Sequence, residues 1–218
     1  VTLSGPRWPR LSPLGDSALL VTFGDRIDSS TRDRVLALAD RLGHRRDLGI
    51  VELVPATVSL AIRYDPRTTD YGSLRDVVQT SIGGPVPTPP AGRLITIPVR
   101  YDGPDLAEVA AKTGLTQAEV VARHSAREYQ VALLGFVPGF GYLTALDPRL
   151  VLPRRSAPRP RVPAGSVAIA GEQTGIYPAA TPGGWHLLGR TRTVMFDPAR
   201  DPPGLLAVGD RVRFVAED

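Results

Sequence analysis

Two glycine-rich turns carry much of the side-chain chemistry available to this chain. The first, 164–178, ends in Gln173, Thr174 and Tyr177, and the second, 181–191, sets Trp185, His186 and Arg190 beside Gly183 and Gly184. Amide, hydroxyl, imidazole, indole and guanidinium groups together exceed what a turn requires, and read as a pocket of convergent donors. Just upstream, the proline-stiffened stretch 153–163 holds Arg154, Arg155, Arg159 and Arg161. Arginine grips carboxylate or phosphate with a planar fork, and a stiff backbone loses little entropy when the fork is fixed. A solvated surface loop accounts for the same arginines equally well.

A third stretch, 134–143, puts Phe136, Phe140 and Tyr142 on a backbone of three glycines and a proline. A turn alone would mix Gly and Pro with Asn, Asp or Ser. Large rings in their place read as a wall for a ligand or another surface, or as a loop that tucks its rings into its own core. The three histidines, His44, His124 and His186, lie too far apart to suggest a metal motif. His44, beside Arg45 and Arg46, reads as a solvated helix cap. His124, one helical turn before Glu128, fits either a catalytic acid/base or a satisfied structural histidine.

Other motifs are weaker. Gly139-Phe-Gly141 follows a strand, but Thr144 replaces the third glycine of a dinucleotide fingerprint and two rings would crowd a pyrophosphate. Lys112-Thr113 has no glycine-rich loop before it, so no Walker-type ATP site is readable. A helix-turn-helix over 109–130 would have to read bases with Gln117 and Glu119; two helices packed on a barrel edge explain it better.

The totals agree with a soluble globular chain. Of 218 residues, 42% are apolar and 22% charged, with a net charge of +4 and no cysteine. Disulfides, thiol nucleophiles and cysteine-bound metals are therefore excluded. The charge is modest for a nucleic-acid binder, and no basic run with interleaved aromatics occurs. No apolar run approaches the roughly 20 residues of a membrane span, and the first residues lack a signal peptide's apolar core. A cytoplasmic location fits.

The elements that must position these residues fall into two parts. Residues 1–82 read as a small α+β domain. An early strand runs from Leu11 to Phe23 with a turn at Gly15-Asp16, a helix spans about 30–46 behind Asp28, strands follow at 50–54 and 57–64, and Asp70 caps a second helix. Residues 83–92, rich in Pro and Gly, read as a semi-rigid linker. From 93 onwards the chain reads as mainly β. A strand covers 95–101, short helices cover 106–112 and 117–125, and Thr116 with Glu119 forms a capping-box pattern. Strands then follow at 129–134, 167–170, 175–177, 186–188, 194–196 and 212–215. Such spacing with heavy Gly/Pro punctuation predicts a closed or nearly closed barrel.

Several blocks together carry a resemblance. They are Gly15 to Leu20, Val54-Pro-Ala56, Tyr64-Asp-Pro66, His124 to Tyr129, Leu134 to Leu143, Pro153-Arg-Arg155, Val162 to Gly171, Gln173 to Pro178, Pro182 to Trp185, Gly189-Arg-Thr191 and Gly209 to Val212. On these, nearly the whole chain is similar to the allophanate-hydrolase-subunit-1 family, also called the kinase A inhibitor-like (KipI) family or the family of 5-oxoprolinase B subunits. The resemblance implies an α+β N-terminal domain followed by a cyclophilin-like β-barrel. It implies a component of an ATP-dependent lactam hydrolase that opens 5-oxoproline to glutamate. Its partners would be a subunit-2-like protein (the 5-oxoprolinase C subunit) and a third protein like the 5-oxoprolinase A subunit. Which component uses the ATP is left open, and no metal motif is readable. Alternatives within the family are inhibition of a sensor histidine kinase, a urea-carboxylase-like carboxyltransferase part, and allophanate hydrolysis. The last needs a Ser-Lys nucleophile system, and the lone Lys112 has no evident serine partner.

On that reading, Arg155, Arg159 and Arg190 would take the substrate carboxylate. Gln173, Thr174 and the backbone N–H groups of Gly183 and Gly184 would take phosphate oxygens, beside Tyr177 and Trp185. His124 or His186 would be the base for water. Phe136, Phe140 and Tyr142 would form the apolar wall of the pocket or of the partner seam.

Overall fold

The structure is a computed structural model that describes residues 8–26, 28–84 and 92–217. The chain divides into two compact units, 1–88 and 89–218. The proline-rich linker expected over 83–92 lies largely outside the described residues, which stop at Gly84 and resume at Gly92.

The first unit is a four-stranded antiparallel sheet with two helices. Its elements are β1 (Arg10–Pro13), β2 (Ala18–Thr22), α1 (Ser29–Gly43), β3 (Ile50–Pro55), β4 (Ser59–Tyr64) and α2 (Tyr71–Ile82), and the strand order is β1-β2-β4-β3. The early strand expected from Leu11 to Phe23 is in fact a hairpin. Gly15 at φ 65° lets the chain reverse, and Leu11 pairs with Val21. Each helix starts where an aspartate can accept an orphan N–H. Asp28 takes Thr31 N–H at 2.7 Å and Asp70 takes Ser73 N–H at 3.0 Å. Leu60, Ile62 and Tyr64 alternate onto one face of β4 and meet Val35, Leu38, Leu42, Leu74 and Val78 from the helices.

The second unit contains β5 (Leu94–Val99), α3 (Leu106–Thr113), α4 (Gln117–Ser125), β6 (Glu128–Leu134), β7 (Gly141–Thr144), β8 (Arg159–Val162), β9 (Ser166–Ala170), β10 (Gln173–Ile176), β11 (Thr181–Gly183), β12 (His186–Arg190) and β13 (Arg211–Ala216). Seven strands form one sheet in the order β12-β9-β10-β7-β6-β13-β5. The β13–β5 pair is parallel and the other pairs are antiparallel. The two edge strands meet where Arg100 and Arg190 exchange backbone hydrogen bonds at 2.9 and 2.8 Å, so the sheet is a nearly closed mixed barrel, as expected. The capping box of α4 forms as the sequence predicts, and Gly114 at φ 68° ends α3.

Three strands escape the sequence reading, because each borrows the composition of a loop. They are β7 inside the ring-bearing stretch, β8 inside the arginine-rich stretch, and β11 between two glycine turns. The strand expected at 194–196 does not form; only Phe196 makes an isolated bridge, to Gly204. β8 and β11 pair with each other as a separate two-stranded layer.

Strand β9 is buried along its whole length. Its side chains alternate between two cores, as a strand covered on both faces must. Val167 and Ile169 join the aliphatic interior with Val131, Leu143, Leu188, Val212 and Phe214. Ala168 and Ala170 join a second cluster with Phe140, Val162, Tyr177, Trp185 and Leu187.

Candidate functional site: a ring layer and an arginine clamp

The second cluster gathers most of the residues singled out from sequence. Phe140 is its centre, at 4.9 Å from Tyr142, 5.4 Å from Tyr177, 5.5 Å from Trp185 and 5.6 Å from Phe136 between ring centroids. All four contacts are edge-to-face, the arrangement that ring quadrupoles favour. Glycine makes room for them. A Cβ on Gly183 would overlap the Tyr177 hydroxyl, and one on Gly175 would sit 3.0 Å from Phe140 Cζ. Burial pushes the Tyr177 phenol above its ordinary pKa, against the pull of the Trp185 backbone N–H, so it stays protonated.

The loop that delivers Phe140 is tied across its neck by Gly135 N–H to Phe140 O at 3.1 Å. At its tip, Phe136 is 58% exposed and holds φ at 70°. A bulky non-glycine residue in the left-handed region is strained by about 1–2 kcal/mol. Leu134 and Val194 add further exposed apolar surface, and the adjoining 195–196 segment packs against Gly139.

Beside the rings lies a clamp centred on Asp105, which is only 2% exposed. Its Oδ1 accepts from Arg155 Nη1 at 3.0 Å and Arg159 Nη2 at 2.6 Å, and its Oδ2 accepts from Leu187 N–H at 2.7 Å. Arg155 also reaches Glu108 at 2.6 Å. The Lys112 ammonium first, then Arg155, holds the Glu108 carboxyl down at about 2. The sequence reading missed Asp105 altogether. It precedes α3 like a cap but makes no capping bond, because both of its oxygens are spent elsewhere. Charge balance was the available signal, since four arginines between 154 and 161 call for an acid nearby.

The clamp holds the arginines without using all their donors. Arg155 Nε and Arg159 Nη1 are buried with no hydrogen-bond partner, as are Thr181 Oγ1 and His186 Nδ1. His186 is 1% exposed and its Nε2 lies 3.0 Å from the Pro153 carbonyl. A carbonyl only accepts, so Nε2 carries a proton, and in that tautomer of the neutral ring Nδ1 is the nitrogen with the lone pair. Arg190 stands apart. It is 63% exposed in its side chain and pairs with Asp102 at 2.8 Å. Gln173 is half-buried at the start of β10, and the Gly184 carbonyl accepts Arg155 N–H at 2.8 Å.

His124 and Thr174 belong to a different place, the barrel interior, and both are 0% exposed. Thr174 Oγ1 donates to Ala168 O at 2.9 Å, so it accepts from His124 Nε2 at 2.8 Å; Nδ1 in turn accepts from the Tyr101 hydroxyl at 2.8 Å. Burial lowers the His124 pKa to about 3. The ring is a neutral tie with both nitrogens spent. In this chain by itself, neither the His124 ring nor the Thr174 hydroxyl has an unpaired polar atom to offer the acid/base and phosphate-donor roles expected of them.

Among the described residues, no group of three or more His, Asp or Glu is placed to hold a metal ion. No helix there is long and apolar enough to cross a membrane.

A nearly closed barrel with a ring layer on one outer face, preceded by an α+β sheet, defines a class. The chain belongs to the family described as carboxyltransferase domain, subdomain C and D, which it matches over residues 9–206. Its relatives are the ones its motifs predicted. It is 40% identical to the 5-oxoprolinase B subunit of Bacillus subtilis (strain 168) over 220 residues, 94% of this chain and 92% of the relative. It is 43% identical to the 5-oxoprolinase B subunit of Escherichia coli O157:H7 over 208 residues, 94% of each. Among solved structures, the protein TTHA0988 superposes with a TM-score of 0.82 at 44% identity over 92% of this chain; this chain spans 40% of that chain's length. The urea carboxylase of Kluyveromyces lactis shares the fold, with a TM-score of 0.77 at 21% identity over 95% of this chain and 22% of its own.

Proposed function

We propose that this chain is the B subunit of an ATP-dependent 5-oxoprolinase and is inactive by itself. The observation that carries this is its likeness, along nearly the whole chain, to two 5-oxoprolinase B subunits. The reaction consumes 5-oxoproline, ATP and water and yields glutamate, ADP and phosphate. A lactam amide resists water. Phosphorylating its oxygen makes the carbon electrophilic and supplies a leaving group, and the protein must then hold a carboxylate, hold phosphate oxygens and activate water.

In this reading the unspent N–H groups of Arg155 and Arg159, with Arg190, take the substrate carboxylate. Gln173 and the Gly183-Gly184 backbone take phosphate oxygens. His186 Nδ1 receives the proton of the attacking water. The clamp supports the first role, since Asp105 fixes both guanidiniums yet leaves donors over. His186 is out of solvent's reach in the isolated chain, which is a physical reason to expect no turnover without partners.

The partners are a C-like protein and an A-like protein, the counterparts of the other two 5-oxoprolinase components. We assign Phe136, Leu134 and Val194 to the seam with the C-like protein. Exposed apolar side chains on a strained, tied loop are the kind of surface that a partner covers. That this chain aligns with less than half of TTHA0988 also fits, because the rest of that chain could stand where a separate protein stands here.

The test is reconstitution with candidate A-like and C-like proteins, reading ATP-dependent glutamate release. Turnover from the full set, and none when this chain is omitted, is expected; no turnover from the full set would sink the reading. His186→Ala and Arg190→Ala should lose turnover with assembly intact, and full activity in both would remove them from the site.

A further inference from the structure

Both side-chain hydrogen bonds of Arg155 leave from one nitrogen. Nη1 donates to Asp105 Oδ1 at 3.0 Å and to Glu108 Oε2 at 2.6 Å. Nε is buried and has no partner. Other arginines of the chain behave differently. Arg45, Arg67 and Arg93 each grip an aspartate with the Nε–Nη2 edge, placing two parallel bonds on its two oxygens. That edge matches the geometry of a carboxylate. Arg155 is held by the nitrogen outside it, and the edge itself is kept back.

Asp105 alone does not account for this. Its Oδ1 is shared with Arg159 at 2.6 Å, and the bond it gives Arg155 is the longer of the two. The shorter bond to Arg155 comes from Glu108. Glu108 is itself fixed, because its Oε1 accepts from Lys112 Nζ at 2.6 Å, one helical turn further along α3. Glutamate four residues before lysine is the favourable order for such a pair. Oε2 is left to reach a residue 47 positions on. Nor is the charge used up. Arg155, Arg159 and Lys112 share Asp105 and Glu108, so three cations meet two carboxylates and one positive charge is left over.

We infer that Glu108 is a positioning residue: it holds Arg155 by Nη1 so that the Nε–Nη2 edge meets the substrate carboxylate. This rests on the 5-oxoprolinase reading above, in which Arg155 takes that group. Glu108 acts only through the guanidinium and touches neither the substrate nor the reacting atoms. The positive charge left over is the one that the substrate carboxylate neutralises. The plain alternative is a surface brace between α3 and the 153–158 stretch, which would affect stability alone.

Steady-state kinetics of the reconstituted complex, varied in 5-oxoproline and in ATP, test this. Glu108→Gln removes the charge and should raise KM for 5-oxoproline about fivefold, the scale of one partly exposed ion pair. kcat and the KM for ATP should hold, because only uniform binding of the carboxylate is weakened. Arg155→Ala should raise the same KM further, and adding Glu108→Gln to it should change nothing more. Melting temperature checks that each variant is folded. If Glu108→Gln does not assemble, Glu108→Asp, which draws the carboxylate back by one methylene, takes its place with the same expected direction. No turnover by the wild-type set overturns the 5-oxoprolinase reading and this inference with it. With wild-type turnover, the role of Glu108 alone is overturned by an unchanged KM for 5-oxoproline, by an equal rise in the KM for ATP, or by additive effects in the double variant.

Discussion

The two faces of strand β9 are built on opposite plans. The inner face is mainly aliphatic, and its polar members, Tyr101, His124 and Thr174, form one hydrogen-bonded chain that ends on the Ala168 carbonyl. The layer outside it is aromatic, and the neighbouring clamp leaves donors of Arg155 and Arg159 buried and unpaired. A barrel needs only the first plan to be stable. Unpaired buried donors cost stability, and their presence beside a ring wall is what supports the proposal that the outer layer serves binding.

The largest effect should come from the clamp. Asp105→Ala leaves the partly buried guanidiniums of Arg155 and Arg159 without their shared counterion and frees Leu187 N–H. Breaking a buried pair in this way costs about 3–5 kcal/mol, measurable by urea denaturation. The outer layer should loosen with it, seen as a red shift of Trp185 emission. A loss below about 1 kcal/mol would mean that the rings hold the layer unaided, and that the contrast between the faces is overdrawn.

Next comes the interior tie. His124→Leu strands the Tyr101 hydroxyl in the core, and one unsatisfied buried group costs about 1–3 kcal/mol. The wild type should also carry a pH signature. Because the folded pKa of His124 is about 3 against an ordinary 6.5, the unfolded chain takes up a proton that the folded chain refuses. This group's contribution is neutral above about pH 6.5. It destabilises the fold as pH falls from there towards 3, by up to about 1.4 kcal/mol per pH unit. His124→Gln should flatten that part of the stability–pH curve, and an unchanged slope would place the titration elsewhere.

An effect of similar size tests the ring packing. In Gly175→Ala the new methyl would meet Phe140 Cζ and the Gly141 carbonyl oxygen, each at 3.0 Å. Overpacking of this kind costs about 1–3 kcal/mol, and Tm should fall accordingly. An unchanged Tm would show that the rings have slack, contrary to a wall fixed in one geometry.

How much of this the sequence could reveal depended on whether a signal was local. The α4 capping box, the Asp28 and Asp70 caps and the alternation of β4 are local, and all were legible. The rings and arginines of the outer layer were also visible as residue types. Their grouping was not, because it depends on pairings between distant segments: Gly183 with Arg159 across β8–β11, and Asp105 with Arg155 and Arg159 over some fifty residues. The two readings of His124 stayed open for the same reason. An imidazole beside arginine and glutamate looks reactive in a string of letters, and only the distant partners Tyr101 and Thr174 show it to be spent.

The smallest expected change in stability belongs to Phe136, and that is what makes it informative. Phe136→Gly relieves about 1–2 kcal/mol of left-handed strain, but it loses edge contacts with Phe140 and Tyr177, worth about 0.5–1.5 kcal/mol each. The two offset, so the variant should stay within about 1 kcal/mol of the wild type. A residue kept for the chain's own core would not balance in this way, since 58% of Phe136 gains nothing from burial in the isolated chain. If the outer layer is kept for binding, the loss must appear elsewhere. Co-purification with the C-like partner should weaken in Phe136→Gly, and in Phe136→Asp it should fail while the fold persists. Full association in both would return Phe136 to the role of a loop ornament and leave Phe140, Tyr177 and Trp185 as a second core with no partner to meet.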